Sequence, residues 1–137
     1  MGLMKLFIDT NIFVSILNKE RDHQRSKEVL DRIHQGEFEG ATSVICAAEI
    51  LSGFYSEGEE ERGDRFLLDL RSIGNFALRD VSLRIAKEAA SLRGRYRTKL
   101  PDAIIAATCK CHGYVLVTRD ESFRKIKEIE VRRPEEV

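Results

Sequence analysis

The fold of this chain is decided near its beginning by the stretch Lys5–Asn11, which reads KLFIDTN. The apolar run predicts a short buried strand over Lys5–Ile8, and this strand ends directly at the carboxylate of Asp9. In α/β proteins, ligands bind in the crevice beyond the carboxyl ends of the strands. An aspartate is rarely buried unless another group compensates its charge. Asp9 is therefore the first candidate for a functional residue.

Three more acidic residues occupy comparable positions further along the chain. Glu49 lies inside the apolar segment Cys46–Leu51. Asp102 opens a predicted apolar helix, and Asp120 comes just after the predicted strand Val115–Thr118. Strand ends and the starts of the following helices lie at the same edge of a parallel sheet. We therefore expect all four carboxylates to converge at that edge.

Apolar periodicity predicts strands and helices that alternate along the chain. Strands are predicted at Lys5–Ile8, Ala41–Ser43, Phe76–Leu78, Val115–Thr118 and Ile129–Arg132. Helices are predicted at Asn11–Leu17, Asp22–Gln35, Val44–Phe54, Glu59–Ile73 and from Pro101 to Gly113. Before the last of these, Ser82 is predicted to cap another helix. Its core face is predicted to consist of Leu83, Ile85, Ala86, Ala89, Ala90 and Leu92. This order implies one domain over residues 1–137 with a three-layer α/β/α fold and a short parallel sheet. The tail Arg133–Val137 is predicted to be frayed.

Composition limits the classes of protein that the chain can represent. Of its 137 residues, 42% are hydrophobic and 34% are charged, and the formal net charge is zero. Residues 91–133 nevertheless hold 11 Lys and Arg against 5 Asp and Glu, which suits a polyanionic partner or an ordinary solvated surface. No apolar run approaches the roughly 20 residues that cross a bilayer, so no membrane partner is expected. Three cysteines, an odd number, favour the reducing cytoplasm.

A shared cation would explain the four acidic residues together. Like charges within a few ångströms raise each other's pKa, and a cation between them removes this repulsion. Ligand sets made only of oxygen select hard ions, so Mg²⁺ or Mn²⁺ is the expected cofactor. Such an ion can activate water and stabilise the leaving oxygen of a phosphodiester. Taken singly, each acidic residue can instead cap a helix, form a turn or face solvent.

Four blocks of sequence resemble the PIN-domain family in order and in spacing, and the resemblance covers essentially the whole chain. The blocks are Phe7–Phe13, Ala48–Ile50, Leu100–Ala106 and Thr118–Phe123. The small size is similar to that of VapC-like toxins of prokaryotic toxin–antitoxin pairs. The resemblance implies a metal-dependent ribonuclease with a PIN-like, Rossmann-like sheet. It also implies that the catalytic and metal-binding residues are Asp9, Glu49, Asp102 and Asp120. Our leading hypothesis is an endoribonuclease that cleaves single-stranded RNA.

The resemblance also implies supporting residues and partners. Asn11 and Thr118 are expected to support the acidic residues as polar neighbours. A homodimer is implied, together with an antitoxin protein that reaches into the acidic groove. Apolar stripes on the predicted helices Asp22–Gln35 and Glu59–Ile73 independently favour a dimer, because a domain this small is expected to leave them partly uncovered.

A basic segment with one aromatic residue lies just before Asp102. It contains Arg93, Arg95, Tyr96, Arg97 and Lys99. Cations and an aromatic ring beside an acidic site can hold the RNA backbone and stack a base, so these residues are candidates for RNA binding. The segment can equally be a solvated helix end whose cations complement the helix dipole.

Two other functions are compatible with parts of the sequence. A PIN-like module that binds RNA or a protein without cleavage is expected to lack an acidic residue, and none is missing. Phosphatase or phosphotransfer chemistry usually places a second acid two residues after the nucleophilic aspartate, whereas position 11 is Asn. A Walker-type phosphate-binding loop is absent from the sequence. A ribonuclease toxin is thus the leading hypothesis, with the non-catalytic binding module as the alternative.

Overall fold

A five-stranded parallel sheet forms the centre of the protein in the computed structural model, which describes residues 2–137. The strands are β1 (Lys5–Ile8), β2 (Glu39–Ser43), β3 (Phe76–Arg79), β4 (Val115–Val117) and β5 (Val131–Arg132). The helices are α1 (Thr10–Leu17), α2 (His23–His34), α3 (Val44–Ser56), α4 (Glu60–Arg71), α5 (Leu83–Tyr96) and α6 (Leu100–His112), and 3₁₀ turns cover Glu121–Lys125 and Pro134–Glu136. The predicted three-layer α/β/α fold is confirmed, and the predicted strand and helix ends lie within two residues of the observed ones.

The order of the strands places a reversal of the chain beside β1. Across the sheet the order is β3-β2-β1-β4-β5, and all neighbouring strands are parallel. The chain moves outward from β1 through β2 and β3, and then returns to the other side of β1 as β4. Open α/β sheets bind ligands at such a reversal, outside the carboxyl ends of the strands. Asp9 directly follows β1 and therefore lies at this point.

Helices cover both faces of the sheet and make β1 a central, fully buried strand. Leu6 and Ile8 point into a core with α1, α2 and α4, whereas Phe7 points into the opposite core with α5 and α6. All three side chains are 0% exposed. Burial of each such side chain stabilises the fold by about 1.5–3 kcal/mol. The strand that carries Asp9 at its end is therefore held firmly on both faces.

Local sequence signals set the ends of the two helices on the second face. Ser82 caps α5 by accepting a hydrogen bond from the backbone N–H of Ile85. Gly113 ends α6 in the left-handed conformation, with φ 72°. No helix within residues 2–137 combines the length and the apolar character needed to cross a membrane.

The core face of α5 is narrower than the sequence pattern predicts. Leu83 is 78% exposed, and Ala86 and Ala90 are exposed as well. The buried residues of this helix are Ile85, Ala89 and Leu92. The physical reason is that α5 packs mainly against α6, so a narrow apolar stripe is enough to hold it.

The prediction of a frayed tail at Arg133–Val137 is also wrong. The tail forms a 3₁₀ turn over Pro134–Glu136. Ion pairs of 2.8 Å join Glu135 to Arg119 and Glu136 to Arg124. These long-range charge pairs, which local sequence does not reveal, fix the tail against the rest of the protein.

Candidate active site

Asp9 lies between β1 and α1, where its carboxylate is almost fully enclosed. Its relative exposure is 5%. Asp9 Oδ1 accepts a hydrogen bond of 2.8 Å from the backbone N–H of Thr10, as expected for a residue that caps a helix. Asp9 Oδ2 accepts hydrogen bonds from Thr118 Oγ1 at 2.7 Å and from Asn11 Nδ2 at 3.1 Å. Three donors therefore fix the orientation of this buried carboxylate.

Asn11 and Thr118 form the polar network that supports Asp9. The hydroxyl of Thr118 accepts hydrogen bonds from Asn11 Nδ2 at 3.0 Å and from the backbone N–H of Asp120 at 3.1 Å. Asn11 Oδ1 accepts a hydrogen bond of 3.1 Å from the backbone N–H of Arg119. A threonine hydroxyl offers one donor and two acceptor positions, and here all of them are used. The structure thus places both predicted supporting residues in direct contact with Asp9.

Glu49 approaches the same edge of the sheet from α3. The helix begins after Ser43, whose hydroxyl accepts a hydrogen bond of 3.2 Å from the backbone N–H of Ile45. Glu49 lies in the second turn with an exposed side chain, and its Oε1 accepts a hydrogen bond of 3.1 Å from Thr10 Oγ1. Thr10 therefore donates hydrogen bonds to two of the acidic residues, to Glu49 from its hydroxyl and to Asp9 from its backbone N–H. Sequence reasoning missed Thr10, whose one signal is its place directly after the first acidic residue.

Asp102 and Asp120 complete the acidic edge. Asp102 lies in the first turn of α6 and is half-buried. Asp120 is exposed, and its Oδ1 accepts hydrogen bonds from the backbone N–H of Ser122 at 3.0 Å and from its hydroxyl at 2.7 Å. The ordinary turn-forming role of an aspartate therefore applies to one oxygen of Asp120.

The buried carboxylate of Asp9 has a strongly shifted pKa. Burial raises the pKa of Asp9 from 3.8 to about 6, because a charged group is poorly solvated there. The hydrogen bonds from Thr118 and Thr10 oppose this shift, whereas the negative charges of Asp102 and Glu49 add to it. Asp9 thus interacts with carboxylates from two different helices.

The remaining carboxylates lack cationic partners in direct contact. Burial, followed by the negative charge of Asp120, raises the pKa of Asp102, and the charges of Lys99 and Lys125 oppose this rise. None of the four acidic residues forms an ion pair within the part of the chain that the structure describes. The edge is therefore a site of uncompensated negative charge.

This arrangement fits a hard divalent cation held partly through water. Among residues 2–137, no three Asp, Glu, His or Cys side chains lie close enough together to hold one ion directly. Mg²⁺ keeps several waters and binds through one or two carboxylates, so it does not need such a cluster. The available donors are all oxygens, which select Mg²⁺ or Mn²⁺ over softer ions.

Within the predicted RNA-binding segment, Arg95 and Tyr96 are turned toward Glu128. Arg95 Nη1 lies 2.6 Å from Glu128 Oε1, and Arg95 Nη2 lies 3.8 Å from Glu88 Oε1. A side-chain hydrogen bond with Glu128 raises the pKa of Tyr96. The charge of Arg95 is therefore balanced inside the chain, which weakens the argument that it contacts phosphate.

The other cations of the segment are not balanced in this way. Arg93, Arg97 and Lys99 form no ion pair with any residue from 2 to 137. Arg97 ends α5 in the left-handed conformation with φ 53°, and Lys99 is the residue that precedes α6. Lys99 lies close enough to Asp102 to lower its pKa. These three cations are not compensated within the described residues, and Lys99 is the one that lies beside the acidic edge.

A groove lined by apolar and acidic residues adjoins the site. It lies between α1, α3 and α4 and has a volume of about 350 Å³. Its apolar lining includes Val14, Leu17 and Phe54, and its acidic lining includes Glu49, Glu57 and Glu59. Arg62 also lines the groove and pairs with Glu59, so Glu49 and Glu57 are the acidic residues there that no cation within residues 2–137 compensates. Because Glu49 belongs to both the groove and the acidic edge, the two are continuous.

Comparison with known proteins shows the family. The PIN domain model matches residues 6–129, a span that contains all four acidic residues. The chain therefore belongs to the PIN-domain family, as the sequence predicts. PIN-domain toxins are generally nucleases, which supports a hydrolase as the class of enzyme. No curated protein sequence matches the chain significantly.

Solved structures of toxin–antitoxin complexes are similar over nearly the whole chain. A toxin–antitoxin complex from Klebsiella pneumoniae is 32% identical, with 96% of this chain and 99% of that chain covered and a TM-score of 0.70. VapBC2 from Rickettsia felis, bound to a promoter DNA fragment, is 22% identical over 95% and 98%, with a TM-score of 0.80. DNA-bound VapBC from Salmonella typhimurium is 20% identical over 96% and 99%, with a TM-score of 0.77. The latter two establish the fold, and the resemblance to VapC-like PIN domains is confirmed.

Proposed function

We propose that this protein is a metal-dependent endoribonuclease that hydrolyses phosphodiester bonds in single-stranded RNA and is the toxin of a toxin–antitoxin pair. The observation that carries the proposal is a set of four carboxylates at one sheet edge, none ion-paired within residues 2–137, in a chain of the PIN-domain family. Catalytic sites of nucleases combine such carboxylates with divalent ions.

The four carboxylates take distinct parts in this proposal. Asp9, Asp102 and Glu49 would hold the principal Mg²⁺ or Mn²⁺, directly or through water, and Asp120 would complete the site or hold a second ion. A bound ion of this kind supplies an activated water at neutral pH and compensates the charge on the leaving oxygen.

Neighbouring residues of the chain would orient the carboxylate of Asp9 and bind the substrate. Thr118 and Asn11 donate to one oxygen of Asp9, which sets its orientation before RNA arrives. With a pKa of about 6, Asp9 is mostly ionised above pH 7. Lys99, which lies beside Asp102, and Arg97, two residues before it in the chain, would hold the phosphate backbone.

An antitoxin protein is the proposed regulator. The structures that this chain resembles are toxin–antitoxin complexes. The groove beside Glu49 suits a peptide that buries apolar side chains against its apolar lining and places Arg or Lys beside its acidic residues. Such a cation would compete with the metal ion for the same carboxylates. We also propose a homodimer and a cytoplasmic location.

Cleavage of a labelled single-stranded RNA by the purified full chain tests the function. We expect cleavage with Mg²⁺ or Mn²⁺, none with excess chelator, and none with Asp9→Asn. Asp69→Asn on α4 is the matched control, because it removes an exposed carboxylate remote from the acidic edge. Cleavage that persists in excess chelator would refute the mechanism.

A non-catalytic RNA-binding module is the second candidate. It is favoured by one observation, namely that no three potential ligands within residues 2–137 are close enough to hold an ion directly. In that case the protein would bind RNA with and without divalent ions but would cleave none of it. Titration of Mn²⁺ by calorimetry separates the two, because the nuclease requires binding that Asp9→Asn abolishes.

A further inference from the structure

We propose that a second phosphate-binding site surrounds Tyr114, the residue directly before β4, and holds a part of the same RNA molecule distant from the acidic residues. We call it the Tyr114 basic patch, and its members are Lys5, Arg79, Arg84 and His112. The inference rests on the proposed ribonuclease function for the identity of the polyanion, but the site itself follows from contacts in the structure.

Tyr114 holds two cations in fixed positions. Lys5 Nζ lies 4.7 Å from the centroid of the Tyr114 ring, and the guanidinium carbon of Arg79 lies 5.7 Å from it. Arg79 Nε donates a hydrogen bond of 3.0 Å to the hydroxyl of Tyr114. Lys5 Nζ donates a hydrogen bond of 2.6 Å to the backbone carbonyl of His112. The cations are therefore ordered before any ligand arrives, which lowers the entropy cost of binding one.

The guanidinium of Arg79 keeps its outer N–H groups available. Its Nε is the atom that bonds Tyr114, and the Nη1 and Nη2 groups have no hydrogen-bond partner within residues 2–137. A guanidinium carries five N–H donors in a planar fork that matches two phosphate oxygens. Arg79 is thus oriented by the tyrosine and retains the pair of donors used for bidentate phosphate binding.

No acidic residue compensates the patch. Lys5, Arg79 and Arg84 form no ion pair in the described part of the chain. Two acidic residues lie near in sequence or register, since Glu39 is the strand partner of Lys5 and Asp80 follows Arg79. Neither of them reaches ion-pair distance of the three cations. The charge of the patch is therefore open to an external anion.

The local potential is positive, as the neighbouring histidine shows. Burial lowers the pKa of His112, and the charges of Arg79, Lys5 and Arg84 lower it further. Like charges that gather in this way repel one another, and a bound phosphate offsets that repulsion. The patch is thus the basic counterpart of the acidic edge.

Two members of the patch, Lys5 and His112, are too far from the acidic residues for one nucleotide to contact both groups. Asp102 and His112 lie ten residues apart on α6, which corresponds to about 15 Å at 1.5 Å per residue. Asp9 and Lys5 are separated by four residues along β1, which corresponds to about 13 Å. An RNA must therefore be longer than a dinucleotide to contact the acidic residues together with Lys5 or His112, whereas a dinucleotide at the acidic edge does not reach them.

Salt-dependent RNA binding tests the patch. The variant Arg79→Gln with Arg84→Gln is compared with Arg21→Gln and Arg71→Gln, which remove two exposed, unpaired arginines elsewhere among residues 2–137. All proteins carry Asp9→Asn, so that a 30-nucleotide RNA stays intact. We expect the patch variant to weaken binding several-fold and to reduce the slope of log affinity against log salt by about 1.4, and the control pair to leave the slope unchanged.

A second variant tests the patch without changing Arg79, in case its replacement impairs folding. Arg84→Glu reverses an exposed charge in the first turn of α5 and should weaken binding of the long RNA in the same way. Equal slopes for the patch and control variants would overturn the proposal. So would a change of oligomeric state in the patch variant with RNA binding unaltered, because the patch would then be a protein interface.

Cleavage of two substrates separates this inference from the proposed function. With the active chain and Mg²⁺ or Mn²⁺, the patch variant should cleave a dinucleotide normally and a 30-nucleotide RNA with a several-fold lower kcat/KM. If neither RNA is cleaved by the unaltered chain, the ribonuclease proposal fails, while the salt slopes still decide whether the patch binds phosphate. Equal loss for both substrates would contradict a distant site.

Discussion

Thr118 Oγ1 lies 2.7 Å from Asp9 Oδ2, although the two residues are 109 positions apart in the sequence. The hydrogen bond joins the ends of β1 and β4, the two strands between which the chain reverses. Because the hydroxyl donates to the ionised carboxylate, it lowers the pKa of Asp9 against the larger effect of burial. Because the sheet places β4 beside β1, the hydroxyl of Thr118 can lower the pKa of Asp9.

Replacement of Thr118 by valine should shift the pH dependence of cleavage. Thr118→Val keeps the shape but removes the donor, so the pKa of Asp9 rises above about 6 and the acidic limb of the profile moves to higher pH. Loss of the hydroxyl also leaves Asn11 and the N–H of Asp120 without their acceptor, which costs about 1–3 kcal/mol. The measurements are kcat/KM from pH 5 to 9 and unfolding in urea.

Thr108→Val is the matched control for this prediction. Thr108 is buried in α6, and its hydroxyl donates a hydrogen bond to the backbone carbonyl of Ile104. Thr108 therefore makes no hydrogen bond to any of the four carboxylates. It should lower stability without moving the pH profile. If both variants left the acidic limb in place, the hydrogen bond from Thr118 would have no part in setting the protonation of Asp9.

The ion-free protein should lose stability as the pH rises through the titration of Asp9. The pKa is 3.8 in the unfolded chain and about 6 in the folded one, so the folded state binds the proton more tightly. Protonated Asp9 contributes its whole share to the free energy of unfolding below pH 4, and this contribution is lost between pH 4 and about 6. The loss is on the order of 3 kcal/mol, because each pKa unit corresponds to about 1.4 kcal/mol.

Comparison with Asp9→Asn isolates this effect from other titrating groups. In chelator, the variant should gain stability relative to the unaltered protein as the pH rises from 4 to 7. Urea unfolding at each pH gives the difference directly. A difference that stays constant over this range would show that Asp9 is not the group that titrates near pH 6.

Divalent ions should offset the repulsion among the four carboxylates at neutral pH and so stabilise the folded protein. An ion that binds only the folded state stabilises it by mass action, by about 2.7 kcal/mol at a concentration 100 times its Kd. We expect Mg²⁺ or Mn²⁺ to raise the melting temperature at pH 7.5 and to have a much smaller effect at pH 5, where Asp9 is protonated. Asp9→Asn should abolish most of the shift, and Asp69→Asn should retain it. An equal shift in both variants would point to ion binding elsewhere.

Sequence reasoning succeeded where the signal is local. The strand β1 follows from three consecutive apolar residues, and the place of Asp9 follows from the end of that strand. The end of α6 at Gly113 likewise follows from one residue that tolerates φ 72°. These features depend on neighbouring positions only, so one sequence is enough to predict them.

The features that escaped prediction depend on side chains from distant segments. The contact of Thr10 with Glu49 spans 39 positions, and Arg119 contacts Ser26, 93 positions away, as well as Glu135 of the tail. Such pairs form only once the helices have packed, and periodicity carries no information about them. The same limit applies to the acidic edge, where the sequence predicts convergence but not whether three carboxylates can touch one ion.

Lys99 should act on both RNA binding and the charge of Asp102. Its positive charge lowers the pKa of Asp102, so Lys99→Gln should raise that pKa and weaken binding of the divalent ion. The variant should also flatten the salt dependence of RNA affinity by about 0.7 for the loss of one phosphate contact. Calorimetric Mn²⁺ titration and filter binding of RNA with Asp9→Asn measure the two effects separately. Arg95→Gln should change both much less, because Glu128 already pairs with Arg95.

A homodimer should form through the face that carries α2 and α4. Leu68 on α4 is 67% exposed, and a separate apolar hollow between α2 and α4 is lined by Leu30 and Ile73. An exposed apolar surface of this kind is a common mark of a protein interface. Sedimentation at micromolar concentration should show a dimer, and Leu68→Glu should shift it toward the monomer because the interface would bury an unpaired charge. Leu83→Glu on α5, also at an exposed leucine, should leave the dimer intact. A protein that is strictly monomeric, or a dimer broken by the α5 variant alone, would exclude this face as the interface.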